Sequence, residues 1–277
     1  MRLAILADIH GNLAAFEAVL EDIAQQSVDQ IIIAGDIVNG APDSDKCWQL
    51  AQSLNCPMVR GNQDRYVFDY GTPTADPAWE SERFLPVRWA NAQLTQTERD
   101  DLAALPLTLQ LLELPDLFIA HASARNDQDS LKAFTPEHLV AKMFANVAEQ
   151  TIIRGHNHIE HTRHWQGKQI ITVGTTGWAV DGVTTARYSI VERRDNQWHN
   201  TAYAVPYDVE RALRRFDESG YLEATYPIGR LFLRELATAT YNIVPFLRLY
   251  FRWQVEDPDG VGALSLADAI DHFLGMY

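Results

Sequence analysis

Residues 2–12 read Arg2-Leu3-Ala4-Ile5-Leu6-Ala7-Asp8-Ile9-His10-Gly11-Asn12. Residues 2–7 have the composition of a short buried strand. The strand runs straight into Asp8-Ile9-His10, and an extended Asp-x-His places both side chains on one face of the chain. Gly11 allows a tight turn, and Asn12 is suited to cap the helix that follows. In that helix Leu13, Phe16, Val19, Leu20 and Ile23 recur at helical spacing. Two metal-binding groups are thus expected at the carboxyl end of a first strand, where open α/β sheets place their ligands. On its own Asp-x-His is a weak signal. It gains weight because the chain repeats the arrangement.

Residues 30–34 are another buried strand and run into Gly35-Asp36-Ile37-Val38-Asn39-Gly40. After a helix over 45–54, a short third strand at 57–60 ends in Gly61-Asn62-Gln63-Asp64. Strands alternating with helices pair in parallel through right-handed crossovers, so these loops are expected on one edge of the sheet. Residues 67–106 break the rhythm and read as a helical insertion, with helices over 80–94 and 97–105 and a Thr95/Glu98 capping box. Tyr66, Phe68, Tyr70, Trp79, Phe84 and Trp89 are expected to pack this insertion onto the core; the sharper alternative puts one or two of them in a substrate pocket.

Strands over 107–112 and 117–120, separated by Pro115-Asp116, lead to His121-Ala122-Ser123. A helix over 136–147, capped by Thr135, precedes a strand over 151–154 that ends in Gly155-His156-Asn157-His158. Segments 162–166, 169–173, 186–192 and 198–205 read as a hairpin-rich sheet, with the loop Gly174-Thr175-Thr176-Gly177 among them. From Pro206 the pattern is helical, over 207–216, 226–239, 245–254 and 266–276. The division expected is residues 1–205 as one α/β domain and 206–277 as a helical extension packed on it. Segment 245–254 is rich in aromatic residues; packing on the domain is its first reading, with a homo-oligomer face or a lid as alternatives.

At 277 residues and 47% hydrophobic content, the chain can bury a substantial core. Its formal charge of −14, from 23 basic and 37 acidic residues, repels polyanions and argues against long nucleic acid as a general partner. It leaves open a small phosphorylated substrate held by metal. Cys47 and Cys56 make no disulfide framework, so a reduced, cytoplasmic setting is expected. No signal peptide is expected ahead of a strand that starts at residue 2. No apolar run approaches the roughly 20 residues of a membrane span.

The polar groups that follow strands are Asp8, His10, Asp36, Asn62, His121, His156 and His158. They are too many for one tetrahedral structural zinc, and none is a thiolate. They suit two divalent ions sharing a carboxylate, with Asp36 bridging ions about 3.5–4 Å apart. Nitrogen and oxygen ligands together suit Mn, Fe, Zn, Co or Ni. The order Asp8-x-His10, Gly35-Asp36-x-x-Asn39-Gly40, Gly61-Asn62-x-Asp64, His121 and Gly155-His156-x-His158 resembles the calcineurin-like metallophosphoesterase family over roughly residues 1–205. Within it the chain is similar to the small bacterial and archaeal phosphodiesterase-like branch. The resemblance implies a four-layer αββα sandwich of two mixed sheets. It implies that Asp8, His10 and His158 hold one metal, that Asn62, His121 and His156 hold the other, and that Asp36 bridges.

Three departures stand out. The family usually has His where this chain has Gln63, and Gln can donate a hydrogen bond but cannot deliver a proton. His121-Ala122-Ser123 replaces the usual Gly-His pair, and Gly174-Thr175-Thr176-Gly177 replaces an Asn-Pro-Gly-Ser loop that borders substrate. Asn62, Gln63 and Asp64 are the expected catalytic group, with Asp64 orienting Gln63 or its loop. Arg60 and Asn39 are candidate phosphate contacts. His161 and His164 are weaker candidates, and His138, His199 and His272 are read as ordinary structural or surface residues.

The resemblance implies a dinuclear metal-dependent phosphoesterase. With Gln63 in place of His, phosphodiester or phosphoanhydride bonds of small, nucleotide-like molecules are the expected substrates. The alternatives are a phosphomonoesterase or protein-phosphatase-like enzyme, and a metal-binding pseudo-enzyme that serves as an interaction module.

Overall fold

A computed structural model describes residues 1–195 and 197–276; residues 196 and 277, which fall inside the expected domain ranges, lie outside the described residues. The first half alternates as read: β1 (Arg2–Leu6), α1 (Leu13–Ile23), β2 (Gln30–Ala34), α2 (Ser44–Ser53), β3 (Met58–Val59) and α3 (Asn62–Asp69). Helix α3 takes in the first residues assigned to the insertion. After it come α4 (Leu85–Gln93) and α5 (Gln96–Ala103), then β4 (Thr108–Leu111), β5 (Leu114–Ala120), α6 (Glu137–Phe144) and β6 (Thr151–Arg154). The hairpin-rich part is β7 (His161–Trp165), β8 (Lys168–Thr172), β9 (Ala186–Arg194) and β10 (Gln197–Val205). Helices close the chain: α7 (Val209–Glu218), α8 (Tyr221–Ala224), α9 (Gly229–Thr238), α10 (Ile243–Glu256) and α11 (Leu266–Leu274).

The strands form two five-stranded sheets, ordered β10-β9-β1-β2-β3 and β4-β5-β6-β8-β7. Both are mixed. β1, β2 and β3 run parallel, as do β5, β6 and β8, while β9, β10, β4 and β7 pair antiparallel. Strand periodicity sorts the side chains into layers. Leu3, Ile5, Ile32 and Ala34 face Leu117, Ile119, Ile153 and Ile171 between the sheets. Ala4, Leu6 and Ile33 point outward onto Phe16, Val19 and Trp48 of α1 and α2. Phe118, Ala120, Ile152 and Ile170 point the other way, onto Val140, Met143 and Phe144 of α6. The result is the αββα sandwich.

Several local expectations are corrected. Helix α4 starts only at Leu85, because short 3-10 turns at Pro77–Glu80 and Glu82–Phe84 take up the start of the expected 80–94 helix. β5 runs through Pro115, and the turn lies at residues 112–113. Proline is tolerated there because the pairing with β6 begins only at Leu117. Thr135 does not cap α6; its hydroxyl accepts from the Lys132 N–H at 2.8 Å and closes the preceding turn. The capping box is as read, with Thr95 and Glu98 answering each other at α5.

The insertion packs on the outer layer, where Val67, Val87, Ala90, Leu94 and Leu102 join the α1–α2 core. The helices after β10 pack beside the sandwich. Ala212, Phe216 and Tyr221 meet Ala14, Ala41 and Trp178, and the Arg215 guanidinium grips the Asp43 carboxylate at 2.8–3.1 Å. Beyond them α10 and α11 build a small core of their own around Phe246, Ile270 and Phe273. Among the described residues no helix is long and apolar enough to cross a membrane.

Candidate metal centre

The strand-end groups converge. Asp8 and His10 follow β1, Asp36 follows β2, Asn62 follows β3, His121 follows β5, and His156 and His158 follow β6. Asp8, His10 and His158 bring one ligand atom each within 4.8 Å of one another, and Asp36, His121 and His156 do the same. Asp36 Oδ2 links the two groups, at 3.7 Å from His10 Nε2 and 3.3 Å from His121 Nε2. Asp8 Oδ1 lies 3.4 Å from His158 Nε2.

The backbone that delivers these groups is not the extended one expected at residues 8–10. β1 stops at Leu6, and Asp8 and His10 have φ of 56° and 52°. Asp36, His156 and His158 are left-handed as well, at 53°, 70° and 59°. That region costs a non-glycine residue free energy and persists only where the surroundings hold it. Here the Asp8, His10 and Gly11 N–H groups donate to the carbonyls of Gly35, Asp36 and Ile37, so the two loops brace each other. Gly61 is bare because a Cβ there would lie 2.0 Å from Asp36 Oδ1.

Ring orientation is set by backbone carbonyls. His10 Nδ1 donates to Asn39 O (2.9 Å), His121 Nδ1 to Ala34 O (2.8 Å) and His158 Nδ1 to Trp178 O (2.8 Å). Each contact fixes the ring and aims Nε2 at the centre, the arrangement seen around ligating imidazoles. His156 uses the other nitrogen, with Nδ1 3.2 Å from His121 Nε2. Burial opposes charge on His121, but the Asp36 carboxylate overrides it and pushes His121 up to about 9. Burial and the neighbouring His121 drive His156 down to about 3. Asp8 and Asp36 are held below the usual carboxylate range by their imidazole neighbours, against their burial.

Those residues fit two divalent ions. Besides the paired imidazoles and carboxylates, Asn62 Oδ1 is buried without a hydrogen-bond partner. An amide oxygen in that position is costly unless something positive meets it.

Asp64 faces away from the cleft. It is fully buried, and its carboxylate accepts from the N–H groups of Asp36, Gly61, Ile37 and Val38 at 2.8–3.1 Å. Burial and the nearby Asp36 push it up to about 7. It ties the β2 and β3 loops together. Gln63 does line the cleft; its N–H donates to Asp36 Oδ1 (2.8 Å) and its Oε1 accepts from Asn39 Nδ2 (2.6 Å). Asn39 lines it too, whereas Arg60 stacks on Phe68 away from it. His161, His164 and the insertion aromatics do not line it, so the sharper reading of those aromatics is corrected: Tyr66, Trp79 and Phe84 pack on one another. Residues 174–177 do not border the cleft either. Thr175 Oγ1 donates to Asp8 O (2.8 Å) and Gly177 N–H to the same carbonyl (2.9 Å), so this loop holds Asp8 in place.

The cleft has a volume of about 470 Å³; Trp178, its ring 5.8 Å from that of His10, lines it together with the chain after β10: Phe232, Tyr241, Ile243, Val244 and Pro245. Trp178 joins the helical wall to the candidate metal ligands. Its carbonyl orients His158, and its indole N–H donates to Glu235 Oε1 at 2.9 Å. Glu235 Oε2 accepts the N–H groups of Asn242 and Ile243, at 2.6 and 2.8 Å, where α10 begins. Arg154 was also missed in sequence. It is fully buried beneath the His156 loop, and its guanidinium donates to Ala122 O, Asp129 O and Asn157 Oδ1 at 2.6–2.9 Å.

The sequence profile of the calcineurin-like phosphoesterase superfamily domain matches residues 1–196. The chain belongs to that superfamily. An uncharacterized protein of Methanocaldococcus jannaschii is 26% identical over 229 residues, 77% of this chain and 90% of that protein. Among solved structures, a metallophosphoesterase from Sphaerobacter thermophilus is 25% identical with a TM-score of 0.70, covering 87% of this chain and 100% of its own. A hypothetical protein of Pyrococcus horikoshii OT3 shares the fold at a TM-score of 0.67 and 17% identity, over 85% of this chain and 97% of its own. For a phosphoesterase of this superfamily, the strand-end cluster is the candidate metal centre.

Proposed function

We propose that the protein is a metal-dependent phosphoric ester hydrolase acting in the cytoplasm on phosphodiester or phosphoanhydride bonds of small molecules. Residues 1–205 are the catalytic domain and 206–277 its helical extension. One observation carries the reading: two ligand groups joined by Asp36, with the buried and unpartnered Asn62 Oδ1 beside them. Asp8, His10 and His158 would hold one ion, and Asn62, His121 and His156 the other. When bound, such ions neutralise phosphoryl charge and lower the pKa of water to near neutrality. The chain supplies the rest. Backbone carbonyls hold three imidazole rings with Nε2 turned inward, so little ring reorganisation is needed on loading. Gln63, with its oxygen occupied by Asn39, turns only its amide N–H groups to a phosphoryl oxygen.

Because Gln63 has no proton to give, the site favours leaving groups that depart unaided. Aryl diesters and pyrophosphate linkages meet that demand better than alkyl monoesters. The test is a screen of the metal-loaded protein against phosphomonoesters, phosphodiesters and dinucleoside polyphosphates. Faster turnover of diesters or polyphosphates is the expected result; a preference for alkyl monoesters contradicts the reading.

A further inference from the structure

The wall formed by Trp178 and the C-terminal helices has a chemistry of its own. Trp178 and Phe232 present rings 5.8 Å apart and tilted by 63°, and Ile243 and Pro245 continue the apolar surface. Arg248 lies one helical turn past Pro245 on α10 and lines the same cleft, as does Lys132 from the other side. Both are exposed, and among the described residues neither is in an ion pair. Their setting is a chain of net charge −14, whose field otherwise repels anions. Among the described residues, the carboxylates lining the cleft are Asp36 and Glu235, and the Glu235 oxygens are committed to the Trp178 indole and to the start of α10. Among the described residues lining the cleft, no free carboxylate pairs with either cation.

We propose that the C-terminal helices form a specificity subsite for the part of the substrate beyond the reacting phosphoryl group. An aromatic ring lies against Phe232, Trp178 and Ile243, and a second anionic group meets Arg248. That is the chemistry of a nucleotide carrying a second phosphate. The proposal rests on the phosphoesterase reading and names its substrate class. The cleft volume of about 470 Å³ suits it, since small-molecule pockets span about 300–1,000 Å³. A flat ring gains by edge and face contacts with tilted aromatics. Arginine pairs with phosphate oxygens through a planar fork of donors.

Two measurements test it on the metal-loaded full chain. The first compares kcat/KM for the p-nitrophenyl ester of thymidine 5′-phosphate and for methyl p-nitrophenyl phosphate, which share a leaving group and differ in the nucleoside. Phe232→Leu should lower the nucleoside-to-methyl ratio by about tenfold, mostly through KM, on the scale of one aromatic contact. The second compares inhibition by adenosine 3′,5′-bisphosphate and by adenosine 5′-monophosphate. Arg248→Gln should raise the inhibition constant of the bisphosphate about tenfold more than that of the monophosphate, the loss of one charge-assisted contact. Unchanged ratios in both variants overturn the proposal, as does faster wild-type turnover of a phosphoserine peptide than of either ester. If the wild type cleaves neither ester and none of the dinucleoside polyphosphates or phosphomonoesters of the screen above, the phosphoesterase reading has failed. Calorimetric titration of adenosine 3′,5′-bisphosphate into wild type and Arg248→Gln then still decides the subsite: weaker binding by the variant supports it and equal binding overturns it.

Discussion

The two walls of the cleft are built on opposite principles. The metal-facing wall is backbone-determined. Five of its candidate ligands, Asp8, His10, Asp36, His156 and His158, stand on left-handed residues at strand ends, and loops after β1, β2 and β3 lock each other through main-chain hydrogen bonds and the Asp64 carboxylate. The helical wall is side-chain-determined. Regular helices carry Phe232, Ile243, Pro245 and Arg248, several of them partly or fully exposed. A site that must hold ions to a few tenths of an ångström needs a scaffold that cannot relax, whereas a surface that recognises a ring tolerates variation. Trp178 and Glu235 join the two.

The sharpest way to break this contrast is at the group shared by both halves of the metal wall. Asp36→Asn should lower metal content and hydrolysis together, by at least about 10²-fold, the scale of losing one preorganised charge-stabilising group. A neutral amide bridges two cations poorly. Wild-type turnover with one metal per chain would show that the bridge is not needed. Next in size is Gln63→His. A positioned acid is worth roughly 10²–10⁴-fold for poor leaving groups, so the variant should gain near the lower bound there and little on nitrophenyl esters. Plotting log kcat/KM against leaving-group pKa checks it; parallel lines for the two proteins contradict it.

Glu235→Ala probes the joint itself. It strips partners from the Trp178 indole and from the Asn242 and Ile243 N–H groups. Metal affinity should fall about 10–100-fold, the usual cost of disturbing what orients a ligand, with Trp178 and His158 as the route. Unchanged affinity by calorimetry would mean that the walls are independent. The smallest effect concerns the docking of α7. Arg215 and Lys46 hold the Asp43 carboxyl below its usual range despite its burial. A depressed folded pKa means the ion pair's stability is present above the unfolded value of about 3.9 and is lost as pH falls through and below it. Asp43→Asn should cost on the order of 1–3 kcal/mol at neutral pH and remove that part of the acid sensitivity. Denaturant melts of both proteins at pH 7 and pH 3 read it; an unchanged gap between them counts against the Asp43–Arg215 contact.

The same contrast explains what was legible in sequence. Leu3, Ile5, Ile32 and Ile153 alternate with residues of the outer layers, so strands, layers and the placement of polar groups at strand ends follow from local periodicity. The left-handed backbone at Asp8 and His10 does not, because it is imposed by carbonyls of the β2 loop contributed from residues 35–37. Asp64 reads in sequence as orienting Gln63 or its loop, but the four N–H groups from two loops that it holds show only in the fold. Trp178 and Glu235 are 57 positions apart and carry no motif. Only the tertiary contact shows that one orients His158 and the other begins α10. The insertion aromatics pack as first read, with Tyr66, Phe68, Tyr70 and Phe84 against the core; only their alternative reading as pocket walls falls. Composition marks Tyr66, Trp79 and Phe84 as able to line a pocket but cannot tell a self-packed cluster from an open wall.

The most direct test of the central claim is the anomalous scattering of crystals grown with manganese. The expected result is two peaks about 3.5–4 Å apart, the spacing of two-metal sites. One should be ringed by Asp8, His10 and His158, the other by Asn62, His121 and His156, with Asp36 reaching both. A single peak, or peaks away from the Asp36 carboxylate, would contradict the two-ion centre.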